Sequence, residues 1–260
     1  MSDLLFEKDG AIATLTFNRP KRLNAISVPM LEAFSERLLE YDRDPEVRVI
    51  VLTGAGRGFC SGLDLQDAAA GTGIGGGNLD ANFDLRRAPP SVLHAVDKPT
   101  ICALNGPAAG YGMDLALGCD IRIAGASAKL AATVTRRGVL PESGGTWLLP
   151  RMVGWAKAAE VIFTGRTLSA EQCLELGLVN QVVPDEVLMS ETRALAKEIA
   201  GNAPLAIQAA KRMMRMGLSE QFDDHVHHVF LQLLPLFRSK DFREGLLAFV
   251  EKRKPRFEGQ

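Results

Sequence analysis

The chain has 260 residues, of which 47% are hydrophobic and 23% charged, and its formal net charge is −1. These values are typical of one large globular domain, or of a domain with an appendage, and they give no electrostatic reason to expect nucleic acid or an anionic membrane as a partner. No apolar segment approaches the roughly 20 residues of a membrane span. The acidic N-terminal sequence MSDLLFEKDG lacks the apolar core of a signal peptide, so we expect a cytoplasmic protein.

The four cysteines, at positions 60, 102, 119 and 173, form no CxxC pair and fit no spacing typical of a zinc site. We therefore expect reduced thiols, as in cytosolic proteins. A nucleophilic cysteine needs a neighbouring base, and no histidine lies near Cys60 in the sequence. We accordingly assign Cys60 no catalytic role.

Apolar periodicity and turn residues predict alternating strands and helices in the first half of the chain. The predicted elements are strands at 4–6 and 11–17 around a turn at Asp9-Gly10, a helix at 28–41 with Ser27 as its N-cap, a strand at 47–52, a glycine-rich loop at 53–64, a helix at 90–96, and strands at 101–104 and 121–124. This alternation favours an α/β fold with substantial parallel pairing.

Residues 66–90 carry the weakest structural signal, and we interpret them as a mobile flap able to cover a site. Gly71, Gly73 and Gly76 match the pattern GxGxxG. A dinucleotide site needs a strand directly before these glycines, however, and an alanine-rich stretch precedes them. The match therefore does not indicate a nucleotide site.

The segment 100–120, TICALNGPAAGYGMDLALGCD, places a strand, a tight turn and the start of a helix within a few residues of one another. The first N–H groups of a helix lack internal acceptors and carry the positive end of its dipole. Small residues allow a ligand to approach this backbone closely. The turn before Asp114 is therefore a candidate site for an anionic oxygen, although a glycine-rich connection without chemistry has the same pattern.

The second half of the chain is predominantly helical. Predicted elements are helices at 143–149, 155–163 and 169–175, a strand at 179–183, and helices at 188–200, 204–216, 222–234 and 241–252. We expect the C-terminal helical block, from about residue 200 to residue 260, to form an appendage to the core. Asp224 and His228 share a helix face near His225 and His227, but a metal site needs three or four ligands, so a solvated polar face is the preferred interpretation.

Several ordered motifs extend along the chain. They are Asn18-Arg19-Pro20 with Asn24-Ala25, Phe59-Cys60-Ser61-Gly62-Leu63-Asp64-Leu65, Asn105-Gly106 through Asp114, Phe163-Thr164-Gly165 with Ala170, Gly177-Leu178-Val179-Asn180, and Phe249 to Phe257. In this order and spacing the sequence resembles the enoyl-CoA hydratase/isomerase family, the crotonase superfamily, essentially from end to end.

The resemblance implies an α/β fold with a crotonase-like spiral of repeated ββα units at 1–200 and a C-terminal helical trimerisation region at 201–260. It implies an acyl-CoA thioester as substrate, with CoA as part of that substrate and no metal or other cofactor, and a homotrimer or a homohexamer as the assembly. The shared chemistry holds a thioester enolate between two backbone N–H groups. Matching the motifs places this oxyanion hole at Leu63 and Tyr111.

Further residues are expected near the substrate on the same basis. The residues that the resemblance places along CoA or the thioester are Lys21, Arg22, Asn24, Ala25, Ser61, Gly62, Asp64, Gly110, Lys252 and Phe257. Lys21 and Arg22 are equally compatible with an ordinary solvated turn, because cations beside phosphate are common but not diagnostic.

The reaction depends on the acid–base groups beside the enolate. Hydratases of the family hold a water between two glutamates, and these positions fall on Asp114 and Val134, of which valine can neither bind water nor move a proton. Glu142 stands where some isomerases of the family carry a working carboxylate. Partial burial would raise its pKa and suit it to proton transfer, whereas an ordinary residue near a helix start is the alternative.

The leading hypothesis is an enoyl-CoA isomerase of fatty acid metabolism in which Glu142 shuttles the proton and Asp114 assists. The alternative is a 2-enoyl-CoA hydratase in which Asp114 and Glu142 hold the water. An acyl-CoA hydrolase, a ring-modifying enzyme and a non-catalytic acyl-CoA binder are further possibilities.

Overall fold

The computed structural model describes residues 2–71 and 84–260. The glycine-rich centre of the predicted flap, residues 72–83, lies outside this described part. Among the described residues, no helix is both long and apolar enough to cross a membrane.

Nine strands form two sheets within the described residues. They are β1 (Leu4–Asp9), β2 (Ile12–Phe17), β3 (Val49–Gly54), β4 (Thr100–Leu104), β5 (Pro107–Ala109), β6 (Ile121–Gly125), β7 (Lys129–Ala131), β8 (Thr167–Ser169) and β9 (Gln181–Val183). The larger sheet has the order β1-β2-β3-β4-β6-β9 and the smaller one the order β5-β7-β8. In the larger sheet only β1 and β2 pair antiparallel, so the predicted α/β fold with parallel strands is confirmed.

Eleven α-helices surround and extend these sheets in the described residues. They are α1 (Val28–Arg43), α2 (Leu65–Ala69), α3 (Pro89–Ala95), α4 (Tyr111–Gly118), α5 (Gly145–Val153), α6 (Trp155–Thr164), α7 (Ala170–Glu175), α8 (Leu188–Ala200), α9 (Pro204–Gly217), α10 (Phe222–Leu236) and α11 (Lys240–Val250). The predicted helices exist at or within a few residues of their expected positions. Ser27 precedes α1 as expected, but its side chain makes no capping hydrogen bond.

The larger sheet is buried on both faces, which explains why its strands are continuous apolar runs. On β3, Ile50 and Leu52 join the main core, whereas Val49 and Val51 point to a second apolar cluster on the opposite face. Helix α1 covers the first face and α8 the second, since buried side chains of each belong to the respective cluster.

The C-terminal helices are attached to the core by ion pairs. Asp97 contacts Arg212 at 2.5 Å and Arg215 at 2.9 Å, and Lys211 of the same helix contacts Asp120 at 2.7 Å. These contacts fix α9 beside the sheet, whereas α10 has no buried side chain of its own. The predicted boundary between a spiral core at 1–200 and a C-terminal helical region at 201–260 stays a prediction.

Two of the histidines near the start of α10 are hydrogen-bonded to the same glutamate. Glu220 contacts Nδ1 of His225 at 2.8 Å and Nδ1 of His228 at 2.9 Å. Within the described residues, no group of three or more His, Cys, Asp or Glu side chains is arranged to hold a metal ion.

The start of α4 packs directly on the turn that follows β3. A Cβ atom on Gly112 would stand 2.2 Å from the carbonyl oxygen of Cys60 and 2.7 Å from the Cys60 Cβ. Only glycine permits this approach, because real Cβ contacts are not made at such distances. The glycine at position 112 therefore brings the two turns of the sequence motifs side by side.

We expect Gly112→Ala to lower the free energy of unfolding by about 1–3 kcal/mol, because the added methyl group must displace α4 or the turn. Urea unfolding measures this change. Gly58→Ala is the matched control, since a Cβ there would meet no atom nearer than 3.5 Å. Equal midpoints for the wild type and Gly112→Ala would contradict the close packing.

Candidate active site

The two glycine-containing turns lie next to each other and are bound by backbone hydrogen bonds. The Ala109 N–H donates to the Cys60 carbonyl oxygen at 2.9 Å, and the Gly110 N–H donates to the Ala131 carbonyl oxygen at 3.1 Å. On its other side the first turn pairs with Ile26, whose N–H donates to the Gly62 carbonyl oxygen at 2.8 Å. The main chain at 60–64 is thus fixed between residues 23–26 and 107–110.

The backbone N–H groups of Leu63 and Tyr111 are brought together by this arrangement. A Cβ on Gly62 would stand 2.8 Å from the Ala109 carbonyl oxygen and 3.4 Å from the Tyr111 nitrogen. Gly62 has a φ of +92°, which favours glycine as well. Neither N–H of the pair has an acceptor within residues 2–71 and 84–260. Two free backbone donors therefore lie at the position predicted for the oxyanion hole, whose function stays a prediction.

Asp114 lies one helical turn after Tyr111 and is only 4% exposed. Its Oδ2 accepts a hydrogen bond from the Ser143 N–H at 3.1 Å, and the Gly145 N–H also donates to the carboxylate. The pKa of Asp114 is raised to about 7: burial is the largest cause, the two N–H groups partly oppose the increase, and the charge of Glu142 adds to it. Near neutral pH this carboxyl group is therefore present in both protonation states.

Glu142 lies on the turn between β7 and α5, and unlike Asp114 its side chain is exposed. Nearby protein atoms nevertheless displace part of its water, so partial desolvation raises the pKa of its carboxyl group. Burial also raises the pKa of the Tyr111 phenol, and the charges of Glu142 and Asp114 contribute to that increase. Both carboxyl groups therefore lie near the Tyr111 side chain.

A small cavity of about 10 Å³ lies beside Asp114. This is room for about one water molecule. Its other walls include Met113, Leu117, Val134 and Leu149, and Asp114 is the one ionisable side chain among the described residues that line it. Val134 lines this cavity with an isopropyl group, which cannot hydrogen-bond to a water. The sequence likewise predicts that this position does not replace the second water-binding glutamate of the hydratases.

Arg22 and Asp64 form an ion pair at the edge of the first turn. Arg22 Nη1 lies 2.6 Å from Asp64 Oδ2 and 3.1 Å from Asp67 Oδ1, and Arg19 also contacts Asp64 at 3.0 Å. Asp64 additionally caps α2 by accepting the N–H groups of Gln66 and Asp67. Both predicted substrate residues thus have structural partners, whereas Lys21 is exposed and makes no ion pair among the described residues.

Asn24 does not fit a side-chain contact with CoA, because it is fully buried. Its amide nitrogen donates to the carbonyl oxygens of Ala55 at 2.9 Å and Gly58 at 2.7 Å, and its Oδ1 accepts the Arg19 N–H. The side chain therefore supports the loop instead of meeting a ligand. The neighbouring Ala25 is also buried.

The remaining predicted substrate residues lie in two places. Ser61, in the first turn, donates a hydrogen bond from its hydroxyl to the Arg22 carbonyl oxygen at 3.3 Å. Lys252 and Phe257 follow α11; the Phe257 carbonyl oxygen accepts from Arg48 at 2.5 Å. Among the described residues, Lys252 and Phe257 make no hydrogen bond or ion pair with either turn, so their role at the nucleotide end stays a prediction.

The Cys60 thiol is fully buried, and burial raises its pKa to about 12. A thiol of this kind is not a nucleophile near neutral pH. This agrees with the assignment of no catalytic role to Cys60.

Comparison with known proteins identifies the family. Residues 7–260 match the family model described as enoyl-CoA hydratase/isomerase. The chain belongs to this family. Its fold is the crotonase fold: a solved enoyl-CoA hydratase from Bacillus anthracis superposes with a TM-score of 0.89 at 33% identity, covering 100% of both chains. A second, from Mycobacterium tuberculosis H37Rv, gives a TM-score of 0.91 at 32% identity and covers 99% of each.

Among the curated relatives of this enoyl-CoA hydratase/isomerase family member, some are named isomerases and others hydratases. A 1,2-epoxyphenylacetyl-CoA isomerase of Escherichia coli is 39% identical over 262 residues, covering 100% of both sequences. A short-chain-enoyl-CoA hydratase of Clostridium acetobutylicum is 34% identical and covers 98% of this chain and 97% of the relative. The chain is therefore an enzyme of the crotonase superfamily.

Sequence reasoning missed two features of this family member's site. The Tyr111 side chain is a neighbour of both carboxyl groups, and the backbone of 143–145 contacts Asp114. A Cβ on Gly145 would stand 2.2 Å from Asp114 Oδ1. The adjacent glycines at 144 and 145 were a signal of such a close approach, but glycine alone does not reveal which group approaches.

The raised pKa of Asp114 predicts a pH-dependent contribution to stability. In the folded chain this group binds its proton more tightly than an unfolded aspartate with a pKa of about 3.9, so its stabilising contribution is present at low pH and is lost as the pH rises through about 7. Relative to Asp114→Asn, the wild type should lose up to about 1.4 kcal/mol of unfolding free energy per pH unit across this window.

Urea unfolding of both proteins between about pH 5 and pH 7 measures this difference. Asp64→Asn is the control. Burial raises the pKa of Asp64, but the hydrogen bonds from Arg22 and two backbone N–H groups outweigh this and lower it. Its contribution is therefore constant across the window and is lost only at lower pH. A pH-independent difference for Asp114→Asn would contradict the raised pKa.

Proposed function

We propose that the protein is an enoyl-CoA isomerase that moves a 3-enoyl double bond into conjugation at carbon 2, with Glu142 as the proton shuttle. The supporting observation is the position of Glu142, an exposed carboxylate with a raised pKa close to Tyr111. A raised pKa makes a carboxylate a stronger base, and the protonated group can then return the proton to the substrate. Val134 supports this choice, since it supplies no second group to hold a water.

The proposed mechanism needs only groups of this chain. The Glu142 carboxylate removes a proton from carbon 2 of the 3-enoyl thioester, and the electron pair passes into a dienolate. The N–H groups of Leu63 and Tyr111 donate to the thioester oxygen as negative charge develops on it. Preorganised donors of this kind typically contribute a few kcal/mol each. Glu142 then returns the proton to carbon 4, which gives the 2-enoyl thioester without gain or loss of atoms.

CoA enters this reaction as part of the substrate, and the proposal requires neither a metal nor another cofactor. Lys21, Ser61 and Arg22 remain candidates for contact with CoA. The exposed ammonium group of Lys21 has the charge needed to bind a phosphate of CoA. The guanidinium of Arg22 already forms ion pairs with Asp64 and Asp67, so it would have to contact CoA while it keeps these partners.

Two classes of acyl group are compatible with the proposed chemistry. The Escherichia coli relative is named for an epoxyphenylacetyl-CoA, whose isomerisation also leaves the composition unchanged. A ring-modifying activity of this kind would use the same two backbone donors and the same carboxylate. Parallel assays with a 3-enoyl-CoA and an aromatic epoxide thioester separate the two classes.

We expect Glu142→Gln to lower kcat on a 3-enoyl-CoA by about 10²- to 10⁴-fold, because the amide cannot accept the carbon-bound proton. CoA-ester binding, measured by calorimetry, should remain close to that of the wild type. Chromatography with mass detection follows the 2-enoyl product of unchanged mass. Glu175→Gln, a substitution of an exposed glutamate on α7, is the matched control. Unchanged turnover in Glu142→Gln would refute the proposed shuttle.

A 2-enoyl-CoA hydratase is the second candidate, and the relatives named as hydratases favour it. Here Asp114 and Glu142 would hold the water together. A product heavier by one water from a 2-enoyl-CoA, and its loss in Asp114→Asn, would support this alternative. If the protein binds CoA esters tightly but forms neither the isomerised nor the hydrated product from any enoyl substrate, an acyl-CoA hydrolase or a non-catalytic binder is favoured instead.

We also propose that the protein is a homotrimer or homohexamer in the cytoplasm. Exposed apolar side chains on the C-terminal helices support the assembly; they include Phe222, Phe230, Leu231, Leu246, Leu247 and Phe249. Large exposed apolar side chains in such number are typical of protein interfaces when they form one patch. The four free cysteines agree with a reducing compartment.

Sedimentation equilibrium is expected to give three or six times the chain mass of 28.1 kDa. Phe230→Glu should shift the protein toward smaller species, because it places a charge on the apolar surface. Glu186→Gln, on the short connection before α8, is a control that leaves this surface unchanged. A monomeric wild type would contradict the proposed assembly.

A further inference from the structure

The carboxylate of Asp114 is engaged by the backbone at the start of α5. The Ser143 N–H donates to Oδ2 at 3.1 Å, and the Gly145 N–H donates to the same carboxylate. The Gly145 Cα lies directly against it, since an added Cβ would stand 2.2 Å from Oδ1, 2.8 Å from Cγ and 3.0 Å from Oδ2. The contact therefore has no space for a side chain at position 145.

This contact bears directly on Glu142, the residue before Ser143. On its other side Glu142 follows Pro141, which is buried and has a φ angle restricted by its ring. Gly144 has a φ of +96°, in the left-handed region. The direction of the exposed Glu142 side chain thus depends on a turn fixed at Pro141 and at the Asp114 contact.

Asp114 itself is poorly placed to exchange a proton with a substrate. It is buried, its oxygens accept backbone N–H groups, and Gly145 covers it. The cavity beside it has room for about one water molecule and not for an acyl chain.

We propose that Asp114 is a positioning residue, which holds the turn 143–145 through backbone hydrogen bonds and so aims the Glu142 carboxylate at the substrate. The inference rests on the proposed function, because it gives Glu142 the proton transfer. It differs from the expectation that Asp114 assists in the chemistry or holds a water.

A double-mutant cycle tests this division of roles. Asp114→Asn keeps the shape of the side chain but replaces one of the two acceptor oxygens with an NH₂ group, which cannot accept a backbone N–H. We expect it to lower kcat by about 10- to 100-fold, the typical cost of a misplaced catalytic group, with KM within about twofold of the wild type. In the Glu142→Gln background the same substitution should lower the residual rate no further, because its effect passes through Glu142.

Two results of the cycle would overturn the proposal. Asp114→Asn with the kcat of the wild type would show that the contact is dispensable. A loss of the same size in the Glu142→Gln background would show that Asp114 acts on the substrate independently.

Gly145→Ala disturbs the same contact from the other side and leaves the carboxyl group in place. We expect it to lower kcat as Asp114→Asn does, and the double variant to be no slower than Asp114→Asn alone. Thr146→Ala, which alters an exposed side chain on the same helix turn, should keep the kcat of the wild type. If Gly145→Ala keeps the kcat of the wild type while Asp114→Asn lowers it, the proposed role of this contact is contradicted.

Hydrogen exchange provides a readout that does not depend on catalysis. In the peptide that contains residues 142–147, the amide protons of Ser143 and Gly145 should exchange about tenfold faster in Asp114→Asn than in the wild type, because a lost hydrogen bond permits local opening. In Thr146→Ala their exchange rates should equal those of the wild type. Unchanged exchange in Asp114→Asn would overturn the positioning role. Unchanged turnover in Glu142→Gln would overturn the proposed function alone, so the two failures are distinguishable.

Discussion

The close approach of α4 to the turn after β3 is the constraint on which the site depends. It exists because Gly112 has no Cβ, so that the helix backbone rests on the Cys60 carbonyl group. Backbone hydrogen bonds from residues 107–110 hold the same turn in place. As a result two N–H groups from distant parts of the sequence, those of Leu63 and Tyr111, lie side by side with no internal acceptor in the described chain. Fixed backbone donors of this kind lose no conformational freedom when charge develops beside them.

Burial distinguishes the environments of the two carboxyl groups beside these donors. Asp114 is enclosed by α4, α5 and aliphatic side chains, whereas Glu142 stands one residue before the contact and reaches solvent. Both have raised pKa values because water is displaced around them, but of the two only Glu142 is exposed at the surface. Two carboxyl groups in different environments are a common route to different catalytic roles.

Much of the site's surroundings is structural support rather than ligand contact. Asn24 and Asp64 resemble binding residues in sequence, yet Asn24 bonds the backbone at 55 and 58, and Asp64 joins Arg22 to the cap of α2. Buried polar side chains need such partners, because an unpaired polar group is costly in the protein interior. The conformation of the first turn is thus specified by side-chain hydrogen bonds as well as by its glycines.

The sequence by itself determined the order of strands and helices, the α/β class and the family, because apolar periodicity, turn residues and ordered motifs are local properties. The short strands β5, β7 and β8 were not predictable in this way, since three residues carry no period and are stabilised by pairing partners far along the chain. Only the tertiary structure decided that Asn24 is buried, that Asp114 bonds the start of α5, and that Tyr111 adjoins both carboxyl groups. These are contacts between segments distant in sequence, and burial and pKa depend on what surrounds a side chain rather than on its neighbours along the chain.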